Sequence, residues 1–469
     1  MNKKPLVGVL GFSDGEPEVH EQLKDIVQAQ VDTLVSALRA TGEVDVIVGD
    51  QLVASVISAK DEALKLAAKG VDATLFSYGV FAFPNFSAIA AKNGKGPFML
   101  VAPLNPDWPG MVSLLAAGGA LHHLGIDHFR ATGDVNDPAV MEKILMFCRT
   151  ARVASGLNGQ KYGMIGGRSL GMYSATVSMQ DWQARFGVDI EHIDQSEIVR
   201  LAETVPEPQV EKAFQWLTDN IGHIEYDGKQ LTPEKLKTQI RHYEATRQII
   251  EKNELDFVGV KCHYEMSRHY CTQCLGAAFF NDPYDWNGPK TPTVFACEAD
   301  GDAALTMQIL KMLTGDPVVF MDVRHWDPEY QVMVFCNCGS QSTWYAACSD
   351  DPRENLQQVT LYPALSIYSG GGAHVNLMTK AGVATIARLN RTEGKYRMTI
   401  IPAEFVELPR EKMAETTVEW PHVFAKLPFD HQIFLEKFDA NHCHAVYGDH
   451  VEELKMICRM LKVDVELLG

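Results

Sequence analysis

The chain has 469 residues, 46% of them hydrophobic and 22% charged, with a formal charge of -18 at pH 7. That length exceeds one ordinary core and calls for two or three domains; the composition excludes disorder and collagen-like repeats. The acidic field argues against nucleic acid and anionic membrane surfaces as partners. No run of 18 apolar residues occurs, so no transmembrane helix is expected, and ten cysteines in so long a chain fit reduced thiols in a cytoplasmic protein.

In chain order, Leu6–Leu10 reads as the first strand. Met1 to Lys4 followed by the apolar Pro5 to Phe12 resembles a signal peptide in outline, but the run is short and ends in Ser13-Asp14-Gly15-Glu16 without a cleavage site. A helix follows with Leu23, Ile26, Val27, Leu34 and Leu38 on one face. Val44–Val48, Ala73–Tyr78 and Phe98–Leu104 supply further strands, and Pro109-Gly110 opens another helix. Residues 1–156 are expected to form an α/β domain on a parallel sheet. Phe81, Phe83, Phe86, Trp108 and His122-His123 fit core or interface packing better than a sugar-stacking wall.

A second alternating block, residues 157–328, opens with the strand Lys161–Ile165. The glycine-rich Gly166-Gly167-Arg168-Ser169-Leu170-Gly171-Met172 comes next. No Lys follows Gly171 and the spacing fails the dinucleotide fingerprint, so nucleotide binding is not expected. Such a loop can still bring backbone close to a sugar, making Arg168, Ser169 and Met172 candidate wall residues. Thr232-Pro233 opens a helix with Leu236, Ile240, Tyr243 and Ile250 in register, and Leu255–Val260 forms a strand. Cys262-His263 and Cys271-Thr272-Gln273-Cys274 have zinc-ligand types, but their spacing is half right, and buried thiols beside a pocket explain them better.

Two short apolar runs then end on carboxylates: Thr293–Cys297 leads into Glu298, and Pro317–Met321 into Asp322. The residues between, Asp300 to Gly315, read as one helix with acidic caps at its start and Thr-Gly at its stop. The simplest reading is a right-handed βαβ unit whose parallel strands set both carboxylates at one sheet edge. Asp300 and Asp302 are taken as helix caps. Glu298 and Asp322 directly abut their strands, which points to a shared metal or a proton-transfer role, because a divalent cation would offset their repulsion.

Residues 329–469 read as a β-rich domain, a partial barrel, with strands at Gln331–Phe335, Val383–Leu389 and Tyr396–Ile401, the last two joined by a Thr392-Glu393-Gly394 turn. Phe438 to His450 is expected as a loop carrying three histidines and two aspartates, of which one His beside two carboxylates would suit Mn²⁺. Asp449-His450-Val451-Glu452 has a capping-box pattern before a helix with Leu454, Ile457 and Leu461 on one face.

Gly166–Met172, Cys297-Glu298-Ala299-Asp300, Phe320-Met321-Asp322-Val323-Arg324 and Ala440-Asn441-His442 together resemble the L-fucose isomerase and L-arabinose isomerase superfamily, over nearly the whole chain. The resemblance implies two Rossmann-like, doubly wound parallel-sheet domains followed by the β-rich domain. It also implies a Mn²⁺-dependent aldose-ketose isomerase, with Co²⁺ or Mg²⁺ as other cations the donors would take. By that resemblance Glu298, Asp322 and His442 are the metal ligands, with His444 as the alternative to His442, and the two carboxylates serve as acid and base. Asn441, Met172 and Gln273 become substrate contacts by position, and the assembly a homohexamer in the cytoplasm. The chain departs from the pattern in two places. Cys336-Asn337-Cys338-Gly339 stands where the arabinose branch has a further histidine, leaving Asn337 as a neutral contact, and Asp14-Gly15-Glu16 stands where fucose isomerases carry Asp-Gly-Arg.

The implied reaction moves a proton from C2 to C1 of an open-chain pentose or hexose, a deoxy or sulfonated hexose included, through a cis-enediolate. A non-catalytic sugar-binding protein or sensor, and a metal-dependent sugar epimerase or aldolase, are the competing readings.

Overall fold

Leu6–Phe12 is buried along nearly its whole length because it lies inside a parallel sheet covered on both faces. The computed structural model describes residues 4–104 and 106–469. Met1, Asn2 and Lys3, part of the leader-like segment weighed above, lie outside the described residues. The chain forms two units, one comprising residues up to Asn158 together with Glu452–Leu461, the other Gly159–Val451 and Lys462–Gly469.

In the first unit five parallel strands run in the order Asp45–Val48, Leu6–Phe12, Ala73–Tyr78, Phe98–Ala102 and Phe129–Thr132. Pro17–Thr41 and Pro138–Gly156 supply helical residues to a core with Val7, Val9 and Leu75. Val56–Ala68, Pro84–Asn93 and Gly110–His123 supply the opposite core, with Leu10, Phe76 and Leu100. Alternate residues of each strand thus serve two helical layers, as a doubly wound sheet requires.

The second unit holds a four-stranded parallel sheet in the order Phe295–Cys297, Phe257–Val260, Lys161–Ile165 and Asp189–Ile193. It also holds a mixed sheet of seven strands. Within that sheet Gly382–Thr392 pairs His442–Tyr447, which pairs Val319–Asp327, then Val332–Cys336, His422–Lys426 and Lys395–Val406. Lys395–Val406 pairs back onto Gly382–Thr392, so six strands close into a ring, with Asp464–Leu467 added outside it. The hairpin that closes the ring turns at Glu393 (φ +52°) and Gly394 (φ +76°), both left-handed as a two-residue hairpin turn of matching twist demands. The architecture is therefore α/β with parallel-sheet domains and a β-rich C-terminal sheet.

The expected βαβ unit does not form. The helix Gly301–Thr314 is present, capped by Asp300 and ended by Gly315 at φ +82°, but the strands on either side of it belong to different sheets. Val319–Asp327 runs nine residues, past Asp322, and turns back as one arm of an antiparallel hairpin with Val332–Cys336. Antiparallel partners therefore stand on both edges of this strand, Val332–Cys336 along Asp322–Asp327 and His442–Tyr447 along Val319–Asp322. The histidines of 438–450 are likewise not all in a loop: His442 and His444 stand two apart on His442–Tyr447 and are fully buried.

Candidate active site

Glu298 follows the last residue of Phe295–Cys297 in a left-handed conformation (φ +60°), and Ala299 repeats it at φ +52°. Non-glycine residues pay roughly 1–2 kcal/mol each for that region. Here the turn is held on both sides: Ala299 N–H donates to Val260 O at 3.1 Å and Asp300 N–H to Cys297 O at 3.2 Å. Gly259 makes room for it, since a Cβ there would collide with the Tyr162 hydroxyl and lie 3.0 Å from Ala299 Cα. Strain concentrated at a strand end is a mark of functional positioning.

Asp322 and His442 come from neighbouring strands and are register partners. Asp322 Oδ1 lies 3.0 Å from His442 Nε2, and Glu298 Oε2 lies 3.5 Å from the same nitrogen. The other ring nitrogen, Nδ1, donates to Asp300 Oδ2 at 2.8 Å. Asp300 caps the helix Gly301–Thr314 by accepting from Ala303 N–H, and it pairs with Arg388, whose side chain is 1% exposed, at 3.0 Å. A carboxylate on Nδ1 fixes the ring and directs Nε2 toward the two carboxylates, which is the usual outer partner of a metal-bound imidazole.

The charges are balanced unevenly. Burial pushes the Glu298 carboxyl up to about 7, opposed by His442 and reinforced by Asp322 and Asp300. Burial would lower His442, but Asp322 and Asp300 outweigh it and push the imidazole up to about 10. Burial alone would raise Asp300 too, yet Arg388 and His442 hold it well below the usual carboxylate range. Two carboxylates facing one imidazole thus call for a positive charge between them. A proton on Nε2 supplies it in part, and the O, O, N donor set fits a hard divalent cation. Among the described residues a further group of ligand types, His263, Glu298 and Cys338, has its ligand atoms within 4.8 Å of one another.

Of the residues singled out from sequence, Met172 and Asn441 join this centre: Asn441 Nδ2 donates to Met172 Sδ at 3.5 Å and lies 2.9 Å from His442 Nε2. The others have different neighbours. Gln273 Nε2 lies 3.0 Å from His242 Nδ1 and donates to Cys271 O at 3.1 Å. Ser169 is buried and donates to His263 O, while Arg168 stacks its guanidinium over Tyr173 at 5.7 Å. Asn337 is buried, its Oδ1 accepting from the Ser340 hydroxyl and N–H, and its Nδ2 has no partner. His444, the alternative to His442, faces Arg388 (Nε2 to Nη1 3.4 Å), and burial together with Arg388 lowers it well below the usual imidazole range.

Sequence reasoning missed Arg388, the second role of Asp300, and the approach of His263 and Cys338. The signal for Arg388 was available: a lone cation in the buried stretch Ala384–Leu389 needs an anionic partner inside. Arg391 also went unread. It donates to Asp302 Oδ2 and to the Tyr173 and Thr176 carbonyls, tying the segment after the glycine-rich loop to the start of Gly301–Thr314.

Comparison with known proteins places the chain in a family. Residues 4–159 match the family L-fucose isomerase, first N-terminal domain, and residues 335–468 match L-fucose isomerase, C-terminal domain. L-fucose isomerase of Escherichia coli O157:H7 (strain EC4115) is 24% identical over 99% of this chain and 93% of its own length. The Salmonella arizonae protein of the same name is 23% identical over 98% and 92%, and that of Vibrio vulnificus (strain YJ016) 26% over 76% and 74%. Among solved structures, a periplasmic solute binding protein from Actinobacillus succinogenes with bound D-allose aligns at 13% identity over 67% of this chain and 93% of its own, but its TM-score of 0.18 is too low to bear on fold or ligand.

Proposed function

Because the chain belongs to the L-fucose isomerase family, whose reaction is an aldose-ketose isomerisation and hence an intramolecular oxidation-reduction, we propose that it is a metal-dependent isomerase of an open-chain pentose or hexose. The observation that carries the metal dependence is the convergence of Glu298 Oε2 and Asp322 Oδ1 on His442 Nε2. Those three residues are the proposed ligands, and oxygen donors with one imidazole favour Mn²⁺, with Co²⁺ or Mg²⁺ as substitutes. Held by Glu298, Asp322 and His442, such a cation would supply Lewis-acid polarisation of the sugar carbonyl, worth several kcal/mol.

The chain's own contribution is proton movement and positioning. One of Glu298 and Asp322 takes the proton from C2 of the aldose and the pair returns one to C1, so that a cis-enediolate lies between aldose and ketose. Asn441 offers an amide to a sugar hydroxyl and Met172 an apolar edge, while Asp300 and Arg388 hold the imidazole of His442. Arg168, Ser169, Gln273 and Asn337 belong to the proposed outer wall of the sugar site.

A homo-oligomer, a hexamer by family likeness, is the proposed assembly. The exposed Met111, Val112 and Leu115 on one side of Gly110–His123 support self-association. No helix of the described residues is long and apolar enough to cross a membrane, and ten free thiols support a reducing, cytoplasmic compartment.

The test incubates purified protein with Mn²⁺ and a panel of aldoses, L-fucose first, in deuterated water and follows exchange and ketose formation by NMR. Ketose that forms only with metal is the expected result. Absence of exchange with every sugar would reject the isomerase.

A further inference from the structure

The two carboxylate oxygens of Glu298 face different imidazoles: Oε2 lies 3.5 Å from His442 Nε2, and Oε1 lies 3.6 Å from His263 Nε2. On the His263 side stands Cys338, and the ligand atoms of His263, Glu298 and Cys338 all lie within 4.8 Å of one another with all three residues buried. We propose that these three form a second cation seat, distinct in chemistry from the O, O, N centre, that takes a thiophilic divalent cation such as Zn²⁺ or Cd²⁺.

The His263–Glu298 separation suits such an ion. Bonds of about 2.0–2.3 Å to nitrogen, oxygen and sulfur in a tetrahedron separate the ligand atoms by about 3.3–3.8 Å, and the His263–Glu298 edge is already 3.6 Å. The ring of His263 is stacked on Tyr368 with centroids 4.8 Å apart, and its Nδ1 lies 3.4 Å from the Ser267 hydroxyl, which leaves Nε2 for Glu298. A fourth donor is at hand, since Cys297 Sγ lies 3.5 Å from Cys338 Sγ. Cys338 sulfur makes its side of the carboxylate favour softer cations, whereas the second carboxylate, Asp322, makes the His442 side favour harder ones.

His263, Glu298 and Cys338 follow the separate strands Phe257–Val260, Phe295–Cys297 and Val332–Cys336, so no sequence spacing announces the seat. On coordination Cys338 gives its thiol proton to solvent and binds as thiolate. A cation on Oε1 draws on the carboxylate that the isomerase reading needs for proton exchange, so the seat is inhibitory. In that one respect the inference rests on the proposed function.

The experiment titrates Cd²⁺ into the full chain and reads the thiolate-to-cadmium charge-transfer band in the ultraviolet. The expected result is a band that saturates at a single cation. It falls about tenfold or more in affinity in Cys338→Ser and in His263→Gln, and persists in His442→Asn and Asp322→Asn. Cys338→Ala, checked by far-UV circular dichroism, guards against a variant that merely misfolds. A missing band in the unmodified protein, a band unchanged in the folded Cys338 variants, or one lost equally in His442→Asn overturns the seat. Deuterium exchange into the sugar is read separately. A band without exchange would reject the isomerase and leave the seat standing, and exchange without a band would do the reverse.

Discussion

Asp322 and His442 are direct partners across an antiparallel ladder, and Asp322 Oδ1 reaches to 3.0 Å from His442 Nε2. Strand register therefore decides whether the site exists. A slip of one residue would send either side chain to the opposite face of the sheet.

Neutralising either carboxylate should remove catalysis and spare the fold. Glu298→Gln and Asp322→Asn are each expected to lower kcat by about 10²- to 10⁴-fold, the usual worth of a positioned proton-transfer group, with unchanged far-UV circular dichroism. Turnover at the unmodified level in either variant would reject its assigned role.

The two buried histidines of the C-terminal strand should behave differently. His442→Asn is expected to weaken Mn²⁺ binding by about 10- to 100-fold in calorimetric titration, whereas His444→Asn, whose imidazole faces Arg388, should leave it close to that of the parent. The opposite ranking would make His444 the ligand.

Arg388→Met should be costly because it leaves the Asp300 carboxylate buried without its cation. A loss of about 3–5 kcal/mol is expected for breaking one side of such a pair. The double change Arg388→Met with Asp300→Leu should recover much of that stability while still binding Mn²⁺ about 10- to 100-fold more weakly, since His442 Nδ1 loses its partner. Urea unfolding of both variants, paired with metal titration, separates the stabilising role from the positioning role.

Acid should destabilise the cation-free protein well above the range in which ordinary carboxylates protonate. Burial lowers His242 and His422 to about 4, only partly offset by contacts with Gln273 and the Trp420 carbonyl. The unfolded chain takes up these protons near 6.5, before the folded chain can. Their contribution is thus complete above that pH and is lost as pH falls from 6.5 toward 4. At pH 5 the loss is about 2 kcal/mol for each histidine, visible as a lower urea midpoint than at pH 7.5. A midpoint unchanged at pH 5 would contradict this.

How much of this was legible in the sequence depended on the range of the interaction. Ala73–Tyr78 and Lys161–Ile165 have the bounds their apolar runs imply, and Gly301–Thr314 has the caps that Asp300 and Gly315 announce, because those signals lie within a few residues. The runs before Glu298 and Asp322 were recognisable as strands, but periodicity says nothing of which sheet a strand joins. Their separation into two sheets is set by pairing with His442–Tyr447, over a hundred residues away in the chain. A separation of 88 positions likewise hid the pairing of Arg388 with Asp300. Glu298 and Asp322 were identifiable as a pair by chemistry, although the geometry first assigned to them was wrong.

The closed six-stranded ring sets the order in which the centre can come into being during synthesis. Asp322 emerges from the ribosome with the hairpin that carries it, while His442 follows over a hundred residues later, and the ladder between them cannot zip until then. A nascent chain can therefore hold Glu298 and Asp322 but not the full O, O, N donor set. With the proposed ligand set, cation capture by all three donors would wait for the ring to close, so the cation-loaded fraction would gauge how much chain has completed that closure.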